Sequence, residues 1–143
     1  MSAGRRLNQC DYRRLAEFRY LIRCFLEFSE VAAVRGGLTP RQHQALLAIK
    51  GAPEGMLPTI GYLAERLRVQ HHSAVELTDR LAEAGLITRE PDVADRRRVR
   101  LKLTRAAETR LGRLSASHLD ELQRLRPALL ELLGAVDARE EAE

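Results

Sequence analysis

Arginine supplies most of the chemistry this sequence can do. Of its 24 basic residues, all but Lys50 and Lys102 are arginine. A guanidinium is a planar fork of donors that grips phosphate or guanine in bidentate fashion. The density peaks over residues 85–105, GLITREPDVADRRRVRLKLTR, where seven basic side chains stand against three acidic ones. That local excess equals the +4 net charge of the whole 143-residue chain, so the two signs balance elsewhere. The segment predicts two strands around a polar tip, Leu86–Glu90 and Val99–Leu103. The second alternates apolar and basic residues, placing Val99, Leu101 and Leu103 on one face and Arg100 and Lys102 on the other. A hairpin with Arg96, Arg97 and Arg98 crowded at its tip is shaped to enter or straddle a nucleic-acid groove. The plainer alternative is a solvated hairpin whose arginines meet only water.

The helices before the hairpin must position it. Thr59 is a cap for a helix from Ile60 to about Leu67, Arg68-Val69-Gln70 make a tight turn, and a second helix runs from His71 to about Ala84, closed by Gly85. Leu63, Ala64 and Leu67 on the first face Ala74, Leu77 and Leu81 on the second. Ala64 is small, which permits the close crossing a helix-turn-helix requires. Gln70 stands where the N-cap of the second helix belongs. Helix, turn, helix and basic hairpin in that order form a winged helix.

Further upstream, residues 11 to about 34 predict one long helix. Leu15, Phe18, Ile22, Phe25, Ser29 and Ala32 make one stripe on it, and Leu21, Cys24, Phe28 and Val31 a second. Together they form a face wider than one neighbouring helix would cover. Gly36-Gly37 end this helix, and Thr39-Pro40 open another that runs through Ile49 until residues 51–55, GAPEG, break it. Met56-Leu57 are candidates for a short strand. From Thr104 the chain returns to helix on Leu111, Leu114, His118, Leu122, Leu125, Leu129 and Leu132. Pro127 is expected to kink or break it near Arg126, and the acidic tail Asp137–Glu143 to fray. The fold class is mainly α with a small β-wing: a winged helix-turn-helix domain plus N- and C-terminal helices whose surplus apolar surface calls for mutual burial in a dimer.

Length and composition limit the alternatives. A chain of 143 residues, 45% hydrophobic and 31% charged, suits a single globular domain with a sizeable core. No apolar run approaches the roughly 18 residues that span a bilayer, so no membrane partner is expected. The first residues lack the apolar stretch of a signal peptide, which gives a cytoplasmic expectation. No Gly-rich phosphate loop, G-x-S-x-G elbow or H-E-x-x-H is present, so no enzyme and no cofactor is expected. Cys10 and Cys24 form neither a ligand cluster nor a disulfide framework.

Four pieces in order resemble the MarR family of bacterial winged-helix regulators. They are Leu38-Thr39-Pro40-Arg41-Gln42, then Leu63-Ala64-Glu65-Arg66-Leu67, then residues 77–87, LTDRLAEAGLI, and last Asp92-Val93-Ala94-Asp95-Arg96-Arg97 closed by Leu101-Lys102-Leu103-Thr104. The resemblance implies one MarR-like domain over residues 1–143. About 11–37 and 105–140 would be dimerisation helices, and about 38–104 the winged DNA-binding region. It further implies an obligate homodimer on double-stranded DNA with a palindromic operator, usually as a repressor, and often released by a small phenolic or other aromatic ligand. The first turn of the recognition helix would then meet base edges in the major groove through Gln70, His71, His72, Ser73 and Glu76. Asp95 would hold a neighbouring arginine while Arg97 enters the minor groove, where a narrow groove concentrates negative potential. Arg96 and Arg98 are phosphate contacts or groove alternates. Arg66 and Arg68 meet the backbone, and Thr59 stands at a helix N-terminus whose amides suit a phosphate. The two histidines and Glu76 depart from the arginine, serine or threonine common in the family, which puts the preferred base sequence in question.

Sensor readings compete with plainer ones. Arg14, Arg41, His43 and Tyr62 are the polar residues to watch for a ligand pocket. Cys10, terminal and exposed, is the candidate for redox sensing, whereas Cys24 on an apolar stripe suits the core. No metal is expected, since the histidines and acids show no tight ligand spacing. Two alternatives stay open beside the DNA-binding regulator: a redox-sensing regulator of the same fold acting through Cys10, and a dimeric interaction module without specific DNA binding.

Overall fold

The computed structural model describes residue 4 and residues 6–140, the side chains of 135–140 excepted. Its elements run α1 (Gln9–Arg35), α2 (Pro40–Lys50), α3 (Ile60–Leu67), α4 (His71–Glu83), β1 (Ile87–Pro91), β2 (Val99–Leu103) and α5 (Arg105–Glu140). They divide into two compact units: Glu30–Ala116, and the residues before Glu30 together with those after Ala116.

Local signals account for most of the Glu30–Ala116 unit. Gly37 takes the left-handed conformation at φ +80°, open to glycine at little steric cost. There the Leu38 amide donates back to the Ala33 carbonyl at 2.9 Å, which closes α1. Thr39 then starts α2 with a reciprocal cap. Its hydroxyl accepts the Gln42 amide at 3.1 Å, and the Gln42 side chain accepts the Thr39 amide at 3.0 Å. Gly85 repeats the left-handed stop after α4 at φ +71°, with the Leu86 amide donating to the Leu81 carbonyl at 2.9 Å. Strands β1 and β2 pair antiparallel from Ile87↔Leu103 to Pro91↔Val99. Thr104 locks the base of the hairpin, its hydroxyl donating to the Gly85 carbonyl at 2.7 Å.

Inside lie Leu46, Leu63, Leu77, Leu81, Leu101 and Leu103, with Ala45 and Ile49 of α2 and Leu111 and Leu114 of α5. Burying side chains of this size contributes roughly 1.5–3 kcal/mol each, so this unit carries a core of its own.

The other unit differs. Leu21, Leu125 and His118 are buried. His118 sits between the ring edges of Phe25 and Phe28, with Nε2 2.8 Å from the Ser29 hydroxyl. Many large apolar side chains stay uncovered, among them Leu15, Phe18, Ile22 and Leu26 on α1 and Leu119, Leu122, Leu130 and Leu133 on α5.

Several expectations need correction. Met56-Leu57 form no strand: only Pro58 meets the hairpin, its carbonyl accepting the Leu101 amide at 2.8 Å. Proline has no amide with which to extend that pairing. Strand β1 starts at Ile87 rather than Leu86, whose amide is committed to the end of α4. Val99 shares a face with Leu101 and Leu103 as the alternation predicts, but it is exposed because the core ends before it. Helix α5 passes through Pro127 without a break. The one amide lost there leaves the carbonyl four residues back, on exposed Gln123, within reach of water. The tail expected to fray is helical through Glu140, and residues 141–143 lie outside the described residues. Gln70 occupies the N-cap position of α4 but makes no side-chain cap bond. Its extra methylene group costs it the short reach that Ser, Thr, Asp and Asn use.

Candidate nucleic-acid interface

The hairpin tip is built by hydrogen bonds centred on Asp95. Its carboxylate accepts the Arg97 amide at 3.1 Å, and the Arg97 guanidinium through Nε at 3.1 Å and a terminal nitrogen at 3.3 Å. The Asp95 carbonyl accepts the Arg98 amide at 3.0 Å, and the Arg98 carbonyl accepts the Asp92 amide at 2.9 Å. The side-chain bond from Arg97, followed by its backbone bond, holds the Asp95 carboxyl below the usual carboxylate range. Arg97 is oriented yet 91% exposed. Arg96 and Arg98 are exposed on either side of it, and Val93 projects at 98% exposure. The tip thus presents guanidinium groups to solvent, the middle one aimed by a carboxylate.

The recognition helix is exposed where it begins. Gln70, His71, His72 and Glu76 face solvent, and Ser73 is half-buried. Ala74, Leu77, Thr78 and Leu81 hold the opposite face in the core, and the Thr78 hydroxyl donates to the Ala74 carbonyl at 2.7 Å. Ser73 and Glu76 line a groove of about 560 Å³ together with Arg41, Gln42 and Arg80. Before α4, Arg68 adopts the left-handed conformation at φ 55°, the one non-glycine residue to do so among the described residues. A side chain there costs about 1–2 kcal/mol, and such strain concentrates at working sites. Arg66 is exposed on α3, its guanidinium carbon 5.8 Å from the Tyr62 ring centroid. The Thr59 hydroxyl accepts the Tyr62 amide at 3.1 Å, so that oxygen serves the helix.

Sequence reasoning missed the ion pair of Asp79 on α4 with Arg89 on β1, which ties the helix to the hairpin. No local signal announces a pair ten residues apart on different elements. Arg80 was likewise absent from the predicted set. The residues expected to line a ligand pocket lie in both units. Arg14 lines a groove with Tyr20 and Glu131, Arg41 lines the groove beside α4, Tyr62 lines a third, and His43 is buried. Cys10 is exposed and Cys24 half-buried. A hydrogen bond with Cys24, with charge repulsion from it in support, pushes the Tyr20 phenol up. Among the described residues no three His, Cys, Asp or Glu side chains converge as metal ligands, and no helix is long and apolar enough to cross a membrane.

A helix-turn-helix followed by an antiparallel hairpin defines a winged-helix protein. The sequence profile of the MarR family matches residues 36–98, the stretch that holds most of the winged helix. Solved structures of similar fold include the YusO protein from Bacillus subtilis, with TM-score 0.61 and 23% identity over 96% of this chain and 97% of that one. A MarR family protein from Bacillus stearothermophilus gives 0.72 and 20% over 96% and 100%. A MepR mutant from S. aureus, bound to an oligodeoxyribonucleotide, gives 0.62 and 18% over 89% and 94%. No curated protein matches the chain.

Proposed function

We propose that this chain is a transcriptional regulator that binds a palindromic operator on double-stranded DNA as a homodimer, in the repressor role usual for its family. The first turn of α4, with Gln70, His71, His72, Ser73 and Glu76, enters the major groove. Arg97 enters the minor groove, Asp95 aims it, and Arg96, Arg98, Arg66 and Arg68 meet phosphates. The carrying observation is the hairpin tip, where a carboxylate orients one exposed arginine between two others. A guanidinium already oriented loses less freedom on binding than a free one.

Dimerisation through about 11–37 and 105–140 rests on the uncovered leucines and phenylalanine of the unit outside Glu30–Ala116. A second copy covering them would complete a core that one copy leaves open. The oligodeoxyribonucleotide bound to the MepR mutant supports DNA as the partner. A small-molecule effector is part of the same reading.

The test is fluorescence anisotropy of the full chain on duplexes from its own upstream region, across a salt series. Affinity should fall by at least tenfold between about 50 and 200 mM salt, as phosphate contacts release counterions. Weak binding that ignores salt and sequence would refute the reading.

A further inference from the structure

Glu76 and Asp79 are neighbouring carboxylates on α4, and the fold uses them differently. Asp79 is taken by Arg89 of β1. The side chain of Glu76 faces solvent and joins no ion pair or hydrogen bond among the described residues. His72, Glu76 and Arg80 follow one another at spacings of four, so they share one face of the helix, and all three are exposed. That face turns away from Ala74, Leu77, Thr78 and Leu81, which hold α4 in the core. Glu76 also lines the groove of about 560 Å³ that holds Arg41 and Arg80. Arg80 stands four residues after it, the favourable order for a helical ion pair, and still the two do not pair.

An ionised carboxylate can only accept hydrogen bonds. Along the DNA backbone it meets acceptors and like charge, so it repels. In the major groove guanine offers N7 and O6, and thymine offers O4, which are again acceptors. Adenine carries a donor amine with its own N7 acceptor beside it. Cytosine N4 is the one amine with no acceptor of its own base at the groove edge. A carboxylate on a DNA-facing helix therefore weakens binding everywhere except over that amine. Arg41 and Arg80, in the same groove, offset the repulsion from flanking phosphates.

We propose that Glu76 is a specificity-determining residue, requiring cytosine at one position of each operator half-site through a hydrogen bond from N4 to its carboxylate. On the DNA-binding reading above, on which this rests, α4 already enters the major groove. Glu76 then decides which base the helix accepts there.

Selection from random duplexes of about 20 base pairs, enough for two half-sites one helical turn apart, tests this. The full chain and its Glu76→Gln and Glu76→Ala variants are run in parallel. The substituted side chain is exposed, so the fold is kept. The unchanged chain should enrich cytosine at one position, repeated symmetrically in both half-sites. Glu76→Gln should move that position to adenine, whose N6 and N7 match a carboxamide. Glu76→Ala should lose the preference there while other positions keep theirs. Anisotropy then compares the selected duplex with two relatives altered at that position. One carries T·A in place of C·G. The other carries N4-methylcytosine, which still pairs with guanine but turns a methyl group into the groove. Each change should cost the unchanged chain about fivefold to a hundredfold in affinity and leave Glu76→Ala nearly unmoved. On the T·A duplex Glu76→Ala should bind more tightly than the unchanged chain, since a repelling charge has gone. Base preferences indifferent to Glu76, or equal affinity for cytosine and N4-methylcytosine, would overturn the cytosine contact and leave the DNA-binding reading standing. No enrichment and no salt-sensitive binding by any of the three proteins would overturn both.

Discussion

The two units of this protein treat apolar surface in opposite ways. In Glu30–Ala116, leucines from α2, α3, α4, β2 and α5 close around one another into a core. In the unit formed by the start of α1 and the rest of α5, Leu15 at 59% and Leu122 at 43% exposure remain open. Both units draw on helices with leucine at spacings of three and four. What separates them is the number of elements that can cover each stripe: the first has several, the second two helices. An amphipathic face is an instruction to be buried, but it does not say against what. The first unit answers that question within one chain, and the second leaves it open, which is the ground for the dimer proposed above.

The largest effect should come from the closed core. Leu81→Ala removes a fully buried side chain and should cost about 2–5 kcal/mol in denaturant unfolding. Leu15→Glu with Leu122→Glu tests the open face instead. It should turn a dimer into a monomer in sedimentation while α4 and the hairpin keep their amide protection. A sedimentation pattern unmoved by both glutamates would erase the contrast between the units.

Next in size is the hairpin tip. Arg97→Ala should weaken operator binding by about 1–3 kcal/mol in anisotropy titrations. Unfolding free energy should stay within about 0.5 kcal/mol, because the side chain is exposed. Arg68→Gly relieves the left-handed strain at some entropic cost, so stability should hold or rise by up to about 1 kcal/mol. The salt slope of DNA binding should fall by about one if this arginine meets a phosphate. A lower melting temperature with an unchanged slope would make Arg68 structural.

The smallest effect is a titration. Arg97 depresses the Asp95 pKa in the folded state. The stability from that pair is therefore complete above the ordinary aspartate value of about 3.9 and is lost as pH falls through the lower folded value. Carboxyl NMR should place the Asp95 midpoint below that ordinary value, and Arg97→Ala should bring it back. A midpoint indifferent to Arg97 would mean the tip is not organised around this carboxylate.

What the chain spells out by itself is local. Thr39-Pro40, Gly37 and Gly85 mark where helices start and stop, because caps and left-handed turns depend on a few adjacent residues. The alternation of Val99–Leu103 announces strand β2, and the stripes on α3 and α4 announce their crossing. The ordered motifs from Leu38 to Thr104 point to the winged helix. Tertiary structure decided the rest. Pro58 gives the hairpin one hydrogen bond where a strand was expected, and α5 continues through Pro127. Asp79 finds Arg89, while Tyr62 and Arg66 share a groove that Arg14 and His43 do not line. Such pairings depend on which faces meet once elements pack, and residue type and spacing along the chain carry no record of that.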